Sequence, residues 1–208
     1  MRNQIIIIAV IALFGFGALQ TFAKGTMRVS ETVQDTRPME HPSAIFGGGC
    51  FWCVESEFRA LDGVTFTRVG YAGGELDHPS YRDITTGKSG HAEVVEVVYD
   101  PSLVSYRALV DFFLTQAHDP TQVNRQGVDV GPQYRSVIFY QDETQKMVAE
   151  EAITTVNASG QYADEVVTEL SPLPIFWQGE EYHQQYYEKY EAETGRPHIR
   201  VLLKQNKR

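Results

Sequence analysis

Cys50 and Cys53 are the only two cysteines of this 208-residue chain, and they stand three positions apart. The run Gly47 to Gly49 comes directly before them, so the chain can turn sharply there and a ligand can approach the backbone closely. Apolar residues follow at helical spacing. Cys50 is therefore expected at the amino end of a helix, where unpaired backbone N–H groups and the helix dipole favour a thiolate. The sequence predicts a lowered pKa and a nucleophilic role for Cys50.

Cys53 lies one helical turn from Cys50, which is close enough for disulfide formation. A loop this small removes little entropy from the unfolded chain, so a purely stabilising disulfide explains the pair poorly. A redox role explains it better, because a thiol beside a sulfenic acid condenses with it and prevents irreversible oxidation. The alternative is that Cys53 is a small buried apolar residue.

Phe51 and Trp52 stand between the two cysteines. Aromatic rings at such positions often serve only as core. Beside a nucleophile, however, they could form an apolar wall for a small uncharged group such as a methyl thioether. We expect both rings, and Trp52 in particular, to line a substrate pocket.

The elements that must position these residues can be predicted from hydrophobic periodicity. Strands are predicted at 44–46, 64–71, 91–99, 134–140 and 166–170, and helices at 50–61, 105–117, 142–157 and 180–190. The intervening stretch 118–133 is predicted to be a long loop, and such loops are usually functional. The order strand, helix, strand, strand, helix, strand predicts an α+β protein of the ferredoxin-like split βαβ type. This is a two-layer sandwich with helices packed on a mixed sheet.

Composition and charge exclude several classes of function. The apolar share of 42% and the charged share of 22% are those of a globular protein. A formal net charge of −9 argues against nucleic acid as a partner. Two cysteines and scattered histidines form no recognisable tetrahedral set, so we expect no metal. His91, His118 and His183 are expected to form hydrogen bonds that brace loops.

The amino-terminal segment has a different composition from the rest. Arg2 precedes an apolar run over 5–16 and a stretch of small residues. The run is short for a bilayer span, which needs roughly 20 residues. We interpret 1–23 as a secretory signal or else an uncleaved anchor, 24–42 as a flexible leader and 43–208 as the catalytic domain. We expect an exported monomer that meets a membrane only through an uncleaved anchor.

The motif around Cys50 resembles the signature of the A-type peptide methionine sulfoxide reductases. The resemblance covers about 44–190 and includes, in order, Gly49-Cys50-Phe51-Trp52, Val54-Glu55, Gly70-Tyr71-Ala72-Gly73-Gly74, His78-Pro79-Ser80-Tyr81, Gly90-His91-Ala92-Glu93, His118-Asp119-Pro120-Thr121, Gln126-Gly127-Val128-Asp129, Gln133-Tyr134-Arg135-Ser136 and Glu181-Tyr182-His183-Gln184-Gln185-Tyr186. It implies reduction of methionine S-sulfoxide, peptide-bound or free, to methionine. No cofactor is expected other than an external dithiol.

A sulfoxide oxygen must be protonated as it leaves, so thiolate attack on the sulfur needs an acid at that oxygen. Glu93 could be the acid if an apolar pocket keeps it protonated, whereas without the resemblance a solvated strand residue is the simpler interpretation. Tyr81 and Tyr134 could donate hydrogen bonds to the same oxygen. The resemblance assigns these roles to the matching positions, and it implies Asp129 as a further polar group of the substrate pocket.

The resemblance has one departure, which concerns the thiol that resets Cys50. Many members of the family carry that cysteine near the carboxyl terminus and often have Gly at the position of Cys53. Residues 200–208 contain no cysteine here. Either Cys53 resolves the sulfenic acid or an external thiol attacks Cys50 directly. We prefer Cys53, because a tethered thiol has a high effective concentration. A thioredoxin-like dithiol would then reduce the disulfide.

Two other classes of protein compete with this interpretation. A thioredoxin-like oxidoreductase also carries a CxxC pair after a strand. Cys-Phe-Trp-Cys lacks the usual small residue or Pro inside that motif, however, and this class leaves Tyr81, Glu93 and Tyr134 unexplained. The second alternative is a noncatalytic exported domain that only binds oxidised peptides.

Overall fold

The structure is a computed structural model in which residues 41–196 are described. The predicted signal or anchor at 1–23 lies outside the described residues, as does nearly all of the predicted leader at 24–42. Within 41–196, no helix is both long enough and apolar enough to cross a membrane.

The described residues form eight strands and five α-helices. The strands are β1 Ser43–Gly48, β2 Val64–Ala72, β3 Ala92–Tyr99, β4 Arg125–Gln126, β5 Asp129–Val130, β6 Ser136–Tyr140, β7 Glu169–Pro172 and β8 Trp177–Gln178. The α-helices are α1 Phe51–Arg59, α2 Tyr81–Thr85, α3 Tyr106–Phe112, α4 Glu143–Ser159 and α5 Tyr186–Thr194.

Six of these strands form one sheet in the order β7-β6-β1-β3-β2-β8, and β4 and β5 pair as a separate hairpin. Strand β1 pairs antiparallel with both β3 and β6, and β3 pairs antiparallel with β2. These four strands and their connecting helices have the order of the split βαβ arrangement. Strand β7 is parallel to β6, which makes the sheet mixed. The predicted α+β, ferredoxin-like class is confirmed.

Aromatic packing fixes α1 on the sheet. Phe46 of β1 stacks on Phe58 of α1 with ring centroids 4.8 Å apart, and on Phe113 at 4.9 Å. All three side chains are fully buried, and burying a phenylalanine stabilises the fold by roughly 1.5–3 kcal/mol. Because the later turns of α1 are held this way, its first turn is fixed where β1 ends, and Cys50 lies at that junction.

Two predicted strands start in the wrong place. The strand predicted from Tyr134 begins instead at Ser136, because Pro132–Tyr134 is a 3-10 turn that follows Gly131 at a φ of 149°. The strand predicted over 166–170 is β7, which begins at Glu169. Val167 donates its backbone N–H to the carbonyl of Pro120 in a loop, and Val166 donates to the side chain of Asn157 in α4, so these groups do not bind the sheet.

The predicted helix boundaries are most accurate where the capping residue is a near neighbour of the helix in the sequence. Helix α4 begins after Asp142, whose side chain accepts from the Gln145 N–H, as predicted. The segment predicted as one helix over 105–117 is α3 followed by a π-helical turn, Phe113–Ala117. The helix predicted over 180–190 is a 3-10 turn, Glu181–His183, and then α5. The predicted loop 118–133 contains the β4–β5 hairpin, and neither α2 nor β8 was predicted.

Candidate active site

The turn between β1 and α1 requires a glycine immediately before Cys50. Gly49 has a φ of +94°, and a Cβ there would lie 2.5 Å from Cβ of Gln126. Cys50 is the N-cap of α1, and its carbonyl accepts from the backbone N–H groups of Cys53 at 3.0 Å and Val54 at 3.2 Å. The backbone therefore holds both cysteines on the first turn of the helix.

Glu93 of β3 reaches this turn from the sheet. Its Oε2 accepts the backbone N–H of Phe51 at 3.0 Å, and the residue is only 2% exposed. Burial raises the pKa of Glu93 to about 8, although the bond from Phe51 opposes the shift. The structure thus holds a carboxyl group that keeps its proton at neutral pH beside the residue that follows Cys50.

The predicted lowered pKa of Cys50 is wrong for the reduced protein. The Phe51 N–H binds Glu93 rather than stabilising a Cys50 thiolate. A hydrogen bond to Cys53, together with burial, raises the pKa of Cys50. The same bond, assisted by the hydroxyl of Tyr187, lowers the pKa of Cys53 to about 7. In the resting pair Cys50 therefore holds the proton and Cys53 is the more acidic thiol.

Tyr81 and Tyr134 approach the same place from two other elements. Tyr81 is the first residue of α2, and Tyr134 is the last residue of the 3-10 turn before β6. Burial and the charge of Glu93 raise the pKa of Tyr81 to about 12, and they raise the pKa of Tyr134 as well. Both hydroxyls therefore keep their protons and can donate them to an oxygen. Cys50 also contributes to the raised pKa of both phenols.

Asp129 comes to this cluster on β5. It is half-buried, and burial raises its pKa. Its charge acts on Glu93, on Cys53 and on both tyrosines. Each of the six polar residues predicted for the site therefore interacts electrostatically with others of the set, although up to 84 residues (50 to 134) separate them in the chain.

Phe51 and Trp52 occupy different surroundings. Phe51 is 1% exposed, and its ring packs on Tyr81 at 6.4 Å and on His183 at 5.0 Å between centroids. Trp52 is half-buried and stacks on Tyr186 at 3.8 Å. Its indole N–H donates to Nδ1 of His183 at 3.0 Å. Phe51 can therefore form the floor of an apolar pocket, and Trp52 a more exposed side.

Glu180 positions part of the site and was not recognised in the sequence. Its carboxylate accepts the backbone N–H of Tyr81 at 2.8 Å and the hydroxyl of Tyr71 at 2.7 Å. It therefore fixes the start of α2, and with it Tyr81. The available signal was the density of Glu, Tyr, His and Gln over 180–187, a stretch with little apolar periodicity.

Two of the three histidines brace loops, as predicted. His91 accepts the N–H of Gly74 at Nδ1, and its Nε2 contacts the carbonyl of Leu76 at 2.8 Å. The ring of His118 bonds to the carbonyl of Phe113 and the hydroxyl of Ser136. Burial lowers the pKa of His118 to about 4, so its ring is neutral. His183 instead belongs to the aromatic cluster around Trp52.

A cavity of about 680 Å³ lies apart from these groups. It is lined by the following loop and helix residues: Gly73, Gly74, Glu75, Leu76, Asp83, Thr86, Lys88, Ser89 and Gly90. This lining contains no thiol and none of the nominated residues. The chemistry of the molecule is therefore assigned to the surroundings of Cys50.

Comparisons with known proteins agree on one family. A family model described as "Peptide methionine sulfoxide reductase" matches residues 42–208. The chain is 54% identical over 149 residues to the peptide methionine sulfoxide reductase MsrA of Methanothermobacter thermautotrophicus, covering 72% of this chain and 88% of that protein. Its fold is similar to methionine sulfoxide reductase A of Corynebacterium diphtheriae, with a TM-score of 0.64, 37% identity, and coverage of 74% and 76%. Reduced Mxr1 from Saccharomyces cerevisiae gives a TM-score of 0.69 at 29% identity, with coverage of 79% and 92%.

Proposed function

The chain belongs to the peptide methionine sulfoxide reductase family and reduces methionine sulfoxide, and from this premise we propose the role of each residue around Cys50. Membership decides against the thioredoxin-like and the noncatalytic alternatives. The observation that carries the proposal is the hydrogen bond of 3.0 Å from the Phe51 N–H to Glu93, because it sets a protonated carboxyl beside the attacking thiol.

In the first step Cys50 Sγ attacks the sulfoxide sulfur, and Glu93 gives its proton to the sulfoxide oxygen. Cys50 begins as a thiol, and its proton moves along the hydrogen bond to Cys53 as the sulfur attacks. The S–O bond of the substrate then breaks as the oxygen, which carries the proton from Glu93, passes to Cys50 Sγ, so that methionine leaves and Cys50 becomes a sulfenic acid. The substrate sulfur is reduced by two electrons, which Cys50 supplies.

The hydroxyls of Tyr81 and Tyr134 donate hydrogen bonds to the oxygen while negative charge develops on it. Their raised pKa values support this role, since a phenol that stays protonated remains a donor. Phe51 and Trp52 bind the methyl group of the substrate. Asp129 binds a polar part of the substrate at the rim of the same pocket.

In the second step Cys53 attacks the Cys50 sulfenic sulfur. A Cys50–Cys53 disulfide forms, and the hydroxyl group leaves as water. An external thioredoxin-like dithiol then reduces the disulfide and restores both thiols. No cofactor takes part. The substrates are the S epimer of free methionine sulfoxide and of oxidised methionines in proteins, as the A-type resemblance implies.

A stoichiometric reaction tests this scheme. The reduced protein is mixed with the separate S and R sulfoxide epimers in the absence of reductant, and methionine and free thiols are counted. We expect one methionine per chain from the S epimer, with both thiols lost together. The variant C53S should form the same methionine and lose one thiol. One free thiol, that of Cys53, remaining in the wild type after methionine release would reject Cys53 as the resolving residue.

We also propose that the protein acts outside the cytoplasm, as the composition of residues 1–23 predicts. Fractionation of cells that express the full chain tests this proposal, with a variant that lacks residues 2–23 as the control. The full chain should be found in the exported or membrane fraction and the truncated chain in the cytoplasm. A cytoplasmic full chain would contradict the proposal.

A further inference from the structure

Tyr187 of α5 contacts the thiol to which the proposed function assigns resolution. Its hydroxyl oxygen lies 3.0 Å from Sγ of Cys53. The residue is 4% exposed, so little water competes for this contact. Tyr187 has no role in the steps proposed so far for Cys50 and Cys53, although it contacts a sulfur atom that reacts.

The contact is fixed by a second link between α1 and α5. Glu55, two residues after Cys53, accepts the backbone N–H of Gln185 at 2.9 Å and its side-chain amide at 3.1 Å. Gln185 has a φ of 47° and is the N-cap of α5. Tyr187 follows two residues later. The start of α5 is thus attached to the helix that carries Cys53, and the phenol is held at the sulfur.

Either atom of this contact can donate, and the chemistry of the two groups favours Tyr187 as the donor. A phenol is a stronger hydrogen-bond donor than a thiol, and a thiolate is a strong acceptor. Other ionisable groups also act on Cys53: the Cys50 thiol favours its thiolate, whereas the charges of Asp129 and Glu57 oppose it, and the thiolate in turn acts on Glu93. The acidic groups nearby disfavour a negative charge on Cys53. Its thiolate is therefore stabilised by the two hydrogen bonds, one with Cys50 and one with Tyr187.

We propose that the Tyr187 hydroxyl donates a hydrogen bond to Cys53 Sγ and is a catalytic residue of the resolving step. It stabilises the Cys53 thiolate as that sulfur attacks the Cys50 sulfenic acid. The Cys53 thiol releases to solvent the proton that it received from Cys50 and attacks as the thiolate; the S–O bond of Cys50 breaks as the S–S bond forms, and the leaving hydroxide takes up one proton from solvent to become water. This inference rests on the proposed function of Cys53 as the resolving thiol.

Loss of the hydrogen bond should change the rate in opposite directions at low and high pH. We expect Y187F to raise the pKa of Cys53 by roughly one unit, since a bond to a charged group contributes about 1.5 kcal/mol. Each remaining thiolate becomes roughly threefold more nucleophilic, because nucleophilicity rises with pKa at a slope of about 0.4–0.5. Disulfide formation should therefore slow roughly threefold near pH 6 and quicken roughly threefold above pH 9.

The experiment measures both steps in single turnovers of the full chain from pH 6 to 9.5. Methionine release reports the first step, and loss of the sulfenic acid to the disulfide reports the second. The control is Y162F, which removes another buried phenol, one that donates to the carbonyl of Leu114 at 2.8 Å. The pKa of Cys53 is also measured directly, by thiolate absorbance in C50S and C50S/Y187F.

We expect the two pH profiles of disulfide formation to cross in Y187F, whereas Y162F should keep the wild-type profile. A Y187F profile with the wild-type midpoint would overturn the inference, as would an equal Cys53 pKa in the two C50S proteins. If Y187F does not fold, 3-fluorotyrosine at position 187 tests the same bond in reverse. This more acidic donor should lower the Cys53 pKa, and no change would overturn the inference.

This failure differs from a failure of the proposed function. If Cys53 is not the resolving thiol, the wild type itself keeps a free Cys53 after releasing methionine. If only Tyr187 is wrongly assigned, the wild type forms the disulfide and Y187F forms it with the same dependence on pH.

Discussion

The protein disfavours a negative charge on Glu93 and favours one on Cys53. Glu93 is buried and accepts the backbone N–H of Phe51, and burial favours the neutral acid. Cys53 is hydrogen-bonded to the Cys50 thiol and to the hydroxyl of Tyr187, and both bonds favour its thiolate. A site that must deliver a proton and also supply a nucleophile needs two such environments within a few ångströms.

Substitution of Glu93 by Gln should remove the acid without removing its hydrogen bond to Phe51. We expect methionine formation in single turnovers to fall by roughly 10²-fold or more. In the wild type the rate should also fall as the pH rises through about 8, where Glu93 loses its proton, and this decrease should be absent in E93Q.

The matched control is E96Q. Glu96 is on the same strand and equally buried, but it is three positions away and pairs with Arg68. An odd spacing along a strand places it on the opposite face of the sheet. Methionine formation by E96Q should equal that of the wild type. A near-normal rate in E93Q would assign the proton to another group.

The residue types of the site could be predicted from the sequence, but their protonation could not. Spacing placed Cys50 at a helix start, and it does stand there. The backbone N–H of Phe51, at that helix start, donates to Glu93, which is 42 residues away in the chain. The partner of Cys53 is 134 residues away. Contacts of this kind follow from strand order and helix docking, about which local spacing carries no information.

At the scale of elements, the β1–α1 turn depends on the conformation of Gly49. We expect G49A to lower the free energy of unfolding by roughly 1–3 kcal/mol for backbone strain alone, and by more because its Cβ would meet Gln126 at 2.5 Å. Urea unfolding measures the first effect. Methionine formation should fall as well, since Cys50 moves with the turn.

G160A is the control for backbone strain. Gly160, after α4, also has a positive φ of +69°, but nothing lies within 4 Å of the position of its Cβ. We expect about 1 kcal/mol of destabilisation and unchanged turnover from G160A. Equal unfolding energies for the two variants would show that the contact with Gln126 is unimportant.

Elements with local signals were predicted well, whereas elements with distant partners were not. Asp142 caps α4 through its own sequence neighbour, and the alternation of β3 was recognisable without knowledge of the sheet. Strand β8 is a two-residue segment that exists only because β2 offers it a free edge. Helix α2 was not predicted, although its capping box, Ser80 to Asp83, is a local signal in the sequence.

The attachment of α5 to α1 is a further property at this scale, and E55Q tests it. Glu55 accepts hydrogen bonds from Thr67 and from Gln185, and its replacement by an amide turns one acceptor into a donor. We expect roughly 1–3 kcal/mol of destabilisation. Disulfide formation near pH 6 should slow, since Tyr187 is displaced from Cys53, while methionine formation is retained.

E188Q is the appropriate comparison for E55Q. It removes the exposed ion pair between Glu188 and Arg59, which joins the same two helices. A surface pair of this kind contributes about 0–1 kcal/mol, so E188Q should change neither step by much. If E188Q slowed disulfide formation as much as E55Q did, general loosening of α5 rather than the Glu55 anchor would be responsible.

At the scale of the whole molecule, a buried acid and a buried base make the free energy of unfolding depend on pH in opposite directions. The pKa of Glu93 is raised from 4.5 to about 8, so its contribution is complete below pH 4.5 and is lost as the pH rises toward 8. The pKa of His118 is lowered from 6.5 to about 4, so its contribution is complete above pH 6.5 and is lost as the pH falls toward 4. The active-site acid therefore lowers stability under the conditions in which the enzyme must work.

E93Q should separate this effect from the rest of the molecule. Between pH 6 and 8 the folded wild type retains a proton that the unfolded chain has released. Its free energy of unfolding should therefore fall relative to that of E93Q by roughly 2–3 kcal/mol. Urea unfolding of both proteins at pH 6, 7 and 8, with reductant present, measures the difference. Y162F should run parallel to the wild type, because the pKa of its missing phenol is about 12. Parallel curves for E93Q and the wild type would mean that Glu93 is ionised in the folded protein, and a general acid could not then be assigned to it.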